Sequence, residues 1–259
     1  MKEYTLITGA SSGIGLELAH IALREKRNVI LVARDERRLK DVQVALREQY
    51  PKNKSLIEIL ALDLAKSTAA QKVFAFCEEN QFFVSELVNN AGFGDYGNFA
   101  GSDVKRQLSM IDLNVKTLTE LTHFFLPAML KNKRGRILNL GSIASFLPGP
   151  LMSVYFATKN YVLSFSRALS EELRGTGVTV TCLCPGATST GFGKNAHVSA
   201  THATAHPKTT AREVAEFGWY QMQQGKSVAI YSLGNRLAVQ TIKFVPRNLL
   251  TKLVKKLQK

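Results

Sequence analysis

Tyr155 and Lys159 stand four residues apart in Tyr155-Phe156-Ala157-Thr158-Lys159. On a helix that spacing puts a phenol and an ammonium group on one face. A free phenol titrates near ~10, and an adjacent cation lowers that by roughly one to three units, toward the range where a proton moves near neutral pH. Alone, such a pair is common on any helix; its companions in the chain give it meaning. Ser142 lies thirteen residues earlier, in Leu138-Asn139-Leu140-Gly141-Ser142-Ile143, where an apolar run ends. A hydroxyl there can hydrogen-bond a substrate carbonyl beside the phenol. Asn114, in Ile111-Asp112-Leu113-Asn114-Val115, interrupts an apolar helical stripe. A buried amide must find partners, so it is either satisfied among packed helices or holds a water or the lysine in place.

A second set of residues suits a phosphate-bearing ligand. Thr8-Gly9-Ala10-Ser11-Ser12-Gly13-Ile14-Gly15 follows a short apolar run and opens an amphipathic helical pattern, with glycines spaced G-x-x-x-G-x-G. Glycines let the backbone turn and approach a pyrophosphate closely, while the free N–H groups at the helix start face the anion. No Gly-Lys-Ser/Thr follows, which excludes a P-loop. The next apolar run ends at Ala33 and leads to Arg34 and Asp35. An Arg at this place suits a 2′-phosphate and an acid suits ribose hydroxyls, so Arg34 favours NADP over NAD while Asp35 keeps a ribose contact open. Asp63-Leu64 and Asn89-Asn90-Ala91-Gly92 close two further runs, where an adenosine would rest.

These groups need a scaffold that brings strand ends together. Strands are expected at 4–8, 28–33, 56–62, 86–89, 135–140 and 178–184, several of them continuously apolar, as strands covered on both faces should be. Helices are expected at 13–25, 36–49, 67–81, 103–131 and 153–174. Alternation of the two implies right-handed βαβ crossovers and an α/β, doubly wound, Rossmann-type parallel sheet flanked by helices. A chain of 259 residues fits one such domain, here taken as residues 1–232. Hydrophobic residues at 45% and charged residues at 21% exclude disorder as the main state. Three cysteines, Cys77, Cys182 and Cys184, are too few for a disulfide framework, and no zinc set is expected around them.

The combination of glycine turn, Asn-Asn-Ala-Gly, Asn114, Ser142 and Tyr155-x-x-x-Lys159, in this order, resembles the classical short-chain dehydrogenases/reductases over about residues 3 to 190. That resemblance implies a catalytic set of Asn114, Ser142, Tyr155 and Lys159. In it Tyr155 is the proton donor, Ser142 polarises the carbonyl, Lys159 also binds the nicotinamide ribose, and Asn114 anchors a proton relay. It implies cofactor contacts at Gly9, Ser11, Ile14, Asp63, Leu64, Asn90, Pro185, Gly186 and Thr188, within the motifs that also contain Ser12, Gly13, Gly15, Ala91 and Gly92. The implied reaction is hydride transfer between NADP(H) and a ketone or aldehyde carbon, with no metal. A homodimer or homotetramer using 103–131 and 153–174 is implied as well. The alternative function is a redox-sensing NADP-binding regulator, which would share the glycine turn but has no need of the proton-transfer residues.

Substrate selection is expected in 93–99, in 145–153 and after Pro185. There Phe93, Tyr96, Phe146, Leu147, Leu151 and Met152 would form an apolar wall suited to a hydrophobic carbonyl compound, unless they simply pack the core. Residues 187–225 are expected to form a lid, and His197, His202 and His206 to lie exposed in its loop, without the carboxylate or thiolate cluster a metal needs. From Leu233 onward the chain departs from the family. Leu233, Leu237, Ile242, Val245, Leu249, Leu253 and Leu257 recur at helical intervals, and Pro246 divides two helices.

The net charge of +14 is concentrated here: Glu216 is the last acid, and eight basic residues follow it. This basic amphipathic tail, 233–259, suits either an anionic membrane surface or a cover over the substrate pocket or a subunit. A nucleic-acid partner is not expected, since no helix-turn-helix, zinc or aromatic-basic motif accompanies the charge. A cytoplasmic location is expected, with peripheral contact to the inner membrane surface through the tail. Neither an export signal nor a spanning helix is expected.

Overall fold

The computed structural model describes residues 2–197 and 209–258. The element order is β1 (Lys2–Thr8), α1 (Gly13–Arg24), β2 (Asn28–Ala33), α2 (Glu36–Gln49), β3 (Ile57–Ala61), α3 (Ala69–Glu79) and β4 (Phe82–Asn89). There follow α4 (Val104–Ile111), α5 (Leu118–Lys131), β5 (Gly135–Leu140), α6 (Ser153–Glu172), β6 (Val178–Cys184), β7 (Thr188–Ser189) and α7 (Phe192–Asn195). The chain ends with β8 (Thr209–Thr210), α8 (Ala211–Gln223), β9 (Val228–Ile230), α9 (Leu233–Ile242) and α10 (Arg247–Leu257).

Seven strands pair in the order β3-β2-β1-β4-β5-β6-β9, every pair parallel, and β7 and β8 form a separate short ladder. The order reverses between β1 and β4, which creates a crevice beyond the carboxyl ends of the strands. Alternate residues of each strand serve opposite faces. Ile7, Leu31, Val88 and Leu138 pack with Leu18 of α1 and Val214 and Trp219 of α8, whereas Leu6, Ile30, Leu87 and Ile137 pack with Val73 of α3 and Phe125 of α5. This double burial explains why the strands read as continuous apolar runs.

Two expectations change in detail. The single long helix expected at 103–131 is divided: α4 and α5 flank a π-helical turn at Asp112–Thr117 that carries Asn114. A wide turn of this kind displaces one residue from regular register and often marks a functional position. The region expected as a lid, 187–225, also divides. Its last part is α8, whose Val214, Ala215, Trp219 and Met222 are buried against α1 and the sheet. A helix with that much core burial is a fixed wall. Residues 198–208, including His202 and His206, lie outside the described residues. The two tail helices separated by Pro246 are present.

Candidate active site

The nucleotide end is shaped mainly by backbone. Thr8 Oγ1 donates to Val88 O and accepts from the N–H groups of Asn90 and Ala91 at 3.0 Å, joining the ends of β1 and β4. Asn90 Nδ2 donates back to the carbonyls of Thr8 and Gly9. Gly9 and Gly13 have left-handed backbone (φ +66° and +56°), and a Cβ on Gly15 would lie 2.5 Å from both Asn90 Nδ2 and Gly9 O. Only glycine permits this closeness. Ser12 precedes α1 in an extended conformation without a side-chain cap, whereas Asp35, Asp103 and Thr210 cap α2, α4 and α8. The first turn of α1 therefore keeps free donors facing the crevice, where a pyrophosphate would sit. Ser11 and Ile14 belong to this same turn.

Arg34 stands exposed past the end of β2, and the neighbouring Asp35 carboxylate accepts from Arg38 N–H at 3.0 Å. Asp35 is thus engaged in capping, and Arg34 is left exposed beside it. Asp63 Oδ1 accepts from Ala65 N–H, and the carbonyl of buried Leu64 accepts from Thr117 Oγ1 at 2.6 Å. Pro185 O accepts from Ile143 N–H, Thr188 Oγ1 donates to Gly186 O, and Gly186 lies close against Asn235 of α9.

At the reacting end, α6 buries both Tyr155 and Lys159. Ser142 follows β5; its Oγ accepts from Ala144 N–H, its own N–H donates to Ser145 Oγ, and its hydroxyl lies beside the Tyr155 phenol. Lys159 Nζ stands 5.9 Å from the Tyr155 ring centroid and donates to Leu140 O at 2.6 Å. Asn114 Oδ1 accepts from Phe93 N–H, and its Nδ2 donates to Phe93 O and to Thr158 Oγ1. A Cβ on Gly92 would lie 2.9 Å from Asn114 Oδ1 and 3.6 Å from Lys159 Nζ, so glycine keeps open the gap between them. The four side chains converge, with one change of partner. Asn114 grips the Phe93 backbone, and the lysine is held by the Leu140 carbonyl.

The electrostatics differ from the simple phenol-plus-cation expectation. Burial pushes the Tyr155 phenol up to about 12, opposed by the Ser142 hydroxyl and reinforced by Cys184. Burial likewise brings Lys159 down to about 8, with Cys182 and Cys184 opposing. Desolvation outweighs the neighbouring charge because both groups lie away from water. The Tyr155 phenol is consequently neutral at pH 7.

The apolar wall forms with substitutions in its membership. Phe93, Tyr96, Leu147 and Met152 cluster with Tyr155, joined by Phe192 of α7 and by Leu250 and Val254 of α10. Phe146 packs instead with Val162, Leu163 and Cys182, and Leu151 occupies a left-handed turn (φ +67°). The Phe192 ring centroid is 5.3 Å from that of Tyr155. Tyr96 hydroxyl donates to Gln258 O at 2.6 Å, binding the tail to the site. His197 pairs with Asp95 at 3.0 Å, and Asp95 also accepts from Arg106 and Gln107, fastening the end of α7 to α4. Thr8, Thr158, Phe192, Leu250 and Val254 were not singled out in the sequence. Thr8 alone had a local signal, a polar residue closing a buried strand immediately before the glycine turn.

The short chain dehydrogenase family profile matches residues 3–200. The chain belongs to this family. An uncharacterized oxidoreductase of Staphylococcus saprophyticus is 30% identical to it over 88% of this chain and 94% of that protein. Sulfoacetaldehyde reductase of Chromohalobacter salexigens is 36% identical over 74% and 75%. A short-chain dehydrogenase from Sphingobium yanoikuyae in complex with NADPH matches with a TM-score of 0.82 and 29% identity, covering 94% of each chain. The short-chain dehydrogenase is therefore an oxidoreductase of CH–OH and carbonyl groups that uses a nicotinamide dinucleotide.

Proposed function

We propose that this short-chain dehydrogenase catalyses NADP(H)-dependent interconversion of a hydrophobic ketone or aldehyde and its alcohol. The observation that carries the reading is the convergence of Ser142, Tyr155, Lys159 and Asn114 beyond the carboxyl ends of β4 and β5. A non-catalytic redox sensor has no need of this set. The cofactor supplies hydride at its nicotinamide ring. The protein orients the carbonyl: Ser142 donates to its oxygen, and Tyr155 delivers the proton as charge develops there. Lys159 lies below the phenol with an ammonium available for the nicotinamide ribose, and Asn114 fixes the strand-to-loop backbone at Phe93. Exposed Arg34 favours the 2′-phosphate of NADP(H), in keeping with the NADPH complex of the Sphingobium relative. The aromatic and aliphatic cluster around Tyr155 favours an apolar substrate.

The assembly surface proposed for a homodimer or homotetramer is the outer face of α4, α5 and α6. Val104, Leu108 and Ile111 form an exposed stripe on α4, near in composition to exposed Leu130 and Tyr161. The tail is proposed to cover the substrate site through Leu250 and Val254 while its outward Leu237, Phe244, Leu253 and Leu257, with the surrounding lysines, touch an anionic bilayer. Among the described residues no helix is long and apolar enough to cross one.

Oxidation of NADPH followed by its absorbance across aliphatic ketones, aldehydes and hydroxysteroid ketones, with NADH in parallel, tests class, cofactor and substrate character together. Turnover of apolar carbonyls with NADPH is expected. Absence of turnover across the panel, with both reduced cofactors bound, would favour the sensor; preference for small charged aldehydes would overturn the apolar substrate. Cosedimentation with phosphatidylglycerol vesicles is expected for the full chain, and its persistence after deletion of 233–259 would overturn the membrane contact.

A further inference from the structure

At the opposite end of the sheet, a cleft of about 370 Å³ is lined by Arg27, Arg134, Arg136, Thr179, Gln223 and Gly225, among others. Arg136 and Thr179 lie at the starts of β5 and β6, whereas Ser142 and Pro185 follow the ends of the same strands. Cofactors and substrates of open α/β sheets bind beyond the carboxyl ends, so this cleft is separate from the redox site.

Behind this lining stands Glu86, which is buried in β4. Thr5 Oγ1 donates to one carboxylate oxygen at 2.7 Å and Gln223 Nε2 to the other at 3.0 Å. Arg27 and Arg136 stand 3.6 and 3.9 Å from Glu86, and Arg134 pairs with Glu3 at 2.9 Å. Three guanidinium groups are thus set against two carboxylates, and Lys26 adds a further cation at the adjoining cleft that shares Arg27. The local charge is positive even with Glu86 and Glu3 ionised. Two enclosed side-chain atoms of lining residues, Arg27 Nε and Thr179 Oγ1, have no hydrogen-bond partner among the described residues. Leaving such groups unpaired is unfavourable, and a small turn of either side chain toward the cleft would let a ligand's acceptor oxygens pair them. Gly225 borders the cleft in left-handed backbone (φ +63°), and a Cβ there would lie 3.1 Å from Thr179 Cγ2.

We propose that this cleft binds the phosphoryl group of a small phosphorylated molecule. Guanidinium groups present planar, paired donors that match phosphate oxygens, and a hydroxyl adds a further donor. The bound anion would join the end of α8, at Gln223 and Gly225, to the starts of β2, β5 and β6, and so stabilise the fold.

The test uses the full chain saturated with NADPH, titrated with inorganic phosphate at constant ionic strength in chloride, with melting temperature and ³¹P line width as readouts. Saturable broadening and a saturable rise in melting temperature are expected, with at least tenfold weaker affinity in Arg136→Gln and in Thr179→Val. Thr179→Val removes a hydroxyl without a hydrogen-bond partner among the described residues, so it keeps the test decisive if Arg136→Gln does not fold. Equal phosphate responses in wild type and Thr179→Val, or no saturable response, would overturn the site. Acetate producing the same saturable shift would overturn the phosphoryl assignment in favour of a carboxylate. Loss of the response in Arg34→Ala, with Thr179→Val unaffected, would place the anion at the cofactor crevice and also overturn it.

Discussion

The two halves of the crevice are built by opposite means. The nucleotide half is a strand, a glycine turn and a helix start contiguous in sequence, and its geometry comes from backbone: left-handed Gly9 and Gly13 and the near contact of Gly15 with Gly9 O. The reacting half is assembled from side chains just after β5 and on the π-turn, α6, α7 and α10, buried or partly buried together. Backbone approach holds an anion by shape and dipole. Burial of side chains shifts their protonation, because removal of water disfavours the charged form more than the neighbours here favour it.

The largest effect that would sharpen this contrast is expected for Tyr155→Phe, which removes one hydroxyl and leaves the packing. kcat/KM should fall about 10²- to 10⁴-fold with cofactor affinity nearly unchanged, since general acid catalysis is worth that much. Near-normal turnover would break the assignment of the reacting half. In the nucleotide half, Gly15→Ala forces a methyl group against Asn90 and Gly9. A stability loss of about 1–3 kcal/mol in urea, with weakened NADPH binding, is expected from such overpacking. Unchanged binding would show that the close approach is not needed.

Arg34→Ala should weaken NADPH by about 10- to 100-fold and leave NADH nearly unaffected, from a charged hydrogen bond worth about 1.5–3 kcal/mol. Equal loss for both cofactors would remove the 2′-phosphate contact. The smallest effect concerns Lys159, whose folded pKa is lowered from 10.5 to about 8. Between these values the unfolded chain binds more protons, so the wild-type fold gains stability as pH rises through that window. Below pH 8 the cost of burying the charge is fully present. Lys159→Met should accordingly be more stable than wild type on the order of 1 kcal/mol at pH 7, and the advantage should shrink by pH 10. An advantage that grows with pH would reverse the sign of the burial argument.

Strands β2, β5 and β6 and helix α2 begin and end where the sequence places them, because the apolar runs of the strands stop at Arg34, Gly141 and Pro185 and α2 opens at its Asp35 cap. The helix over 103–131 was legible in extent but not in its π-turn, since propensity carries no signal for one displaced residue. Asn114 was legible as a polar interruption; its partners were not, because Phe93 is twenty-one residues away in sequence and meets it only through the fold. The same holds for Phe192 and Val254. Residues 211–223 show the reverse error: a weak pattern after an irregular stretch suggests a lid, yet packing against α1 makes it core.

Local order in the chain determined the parallel sheet, the glycine turn and the placing of Tyr155 and Lys159 on one helix, because strand length, turn chemistry and i to i+4 spacing are short-range properties. Tertiary structure alone decided that Tyr155 and Lys159 are desolvated, that Asn114 holds Phe93, and that the basic tail packs over the reacting end. Those outcomes depend on which distant surfaces exclude water from one another, and sequence distance says nothing about that.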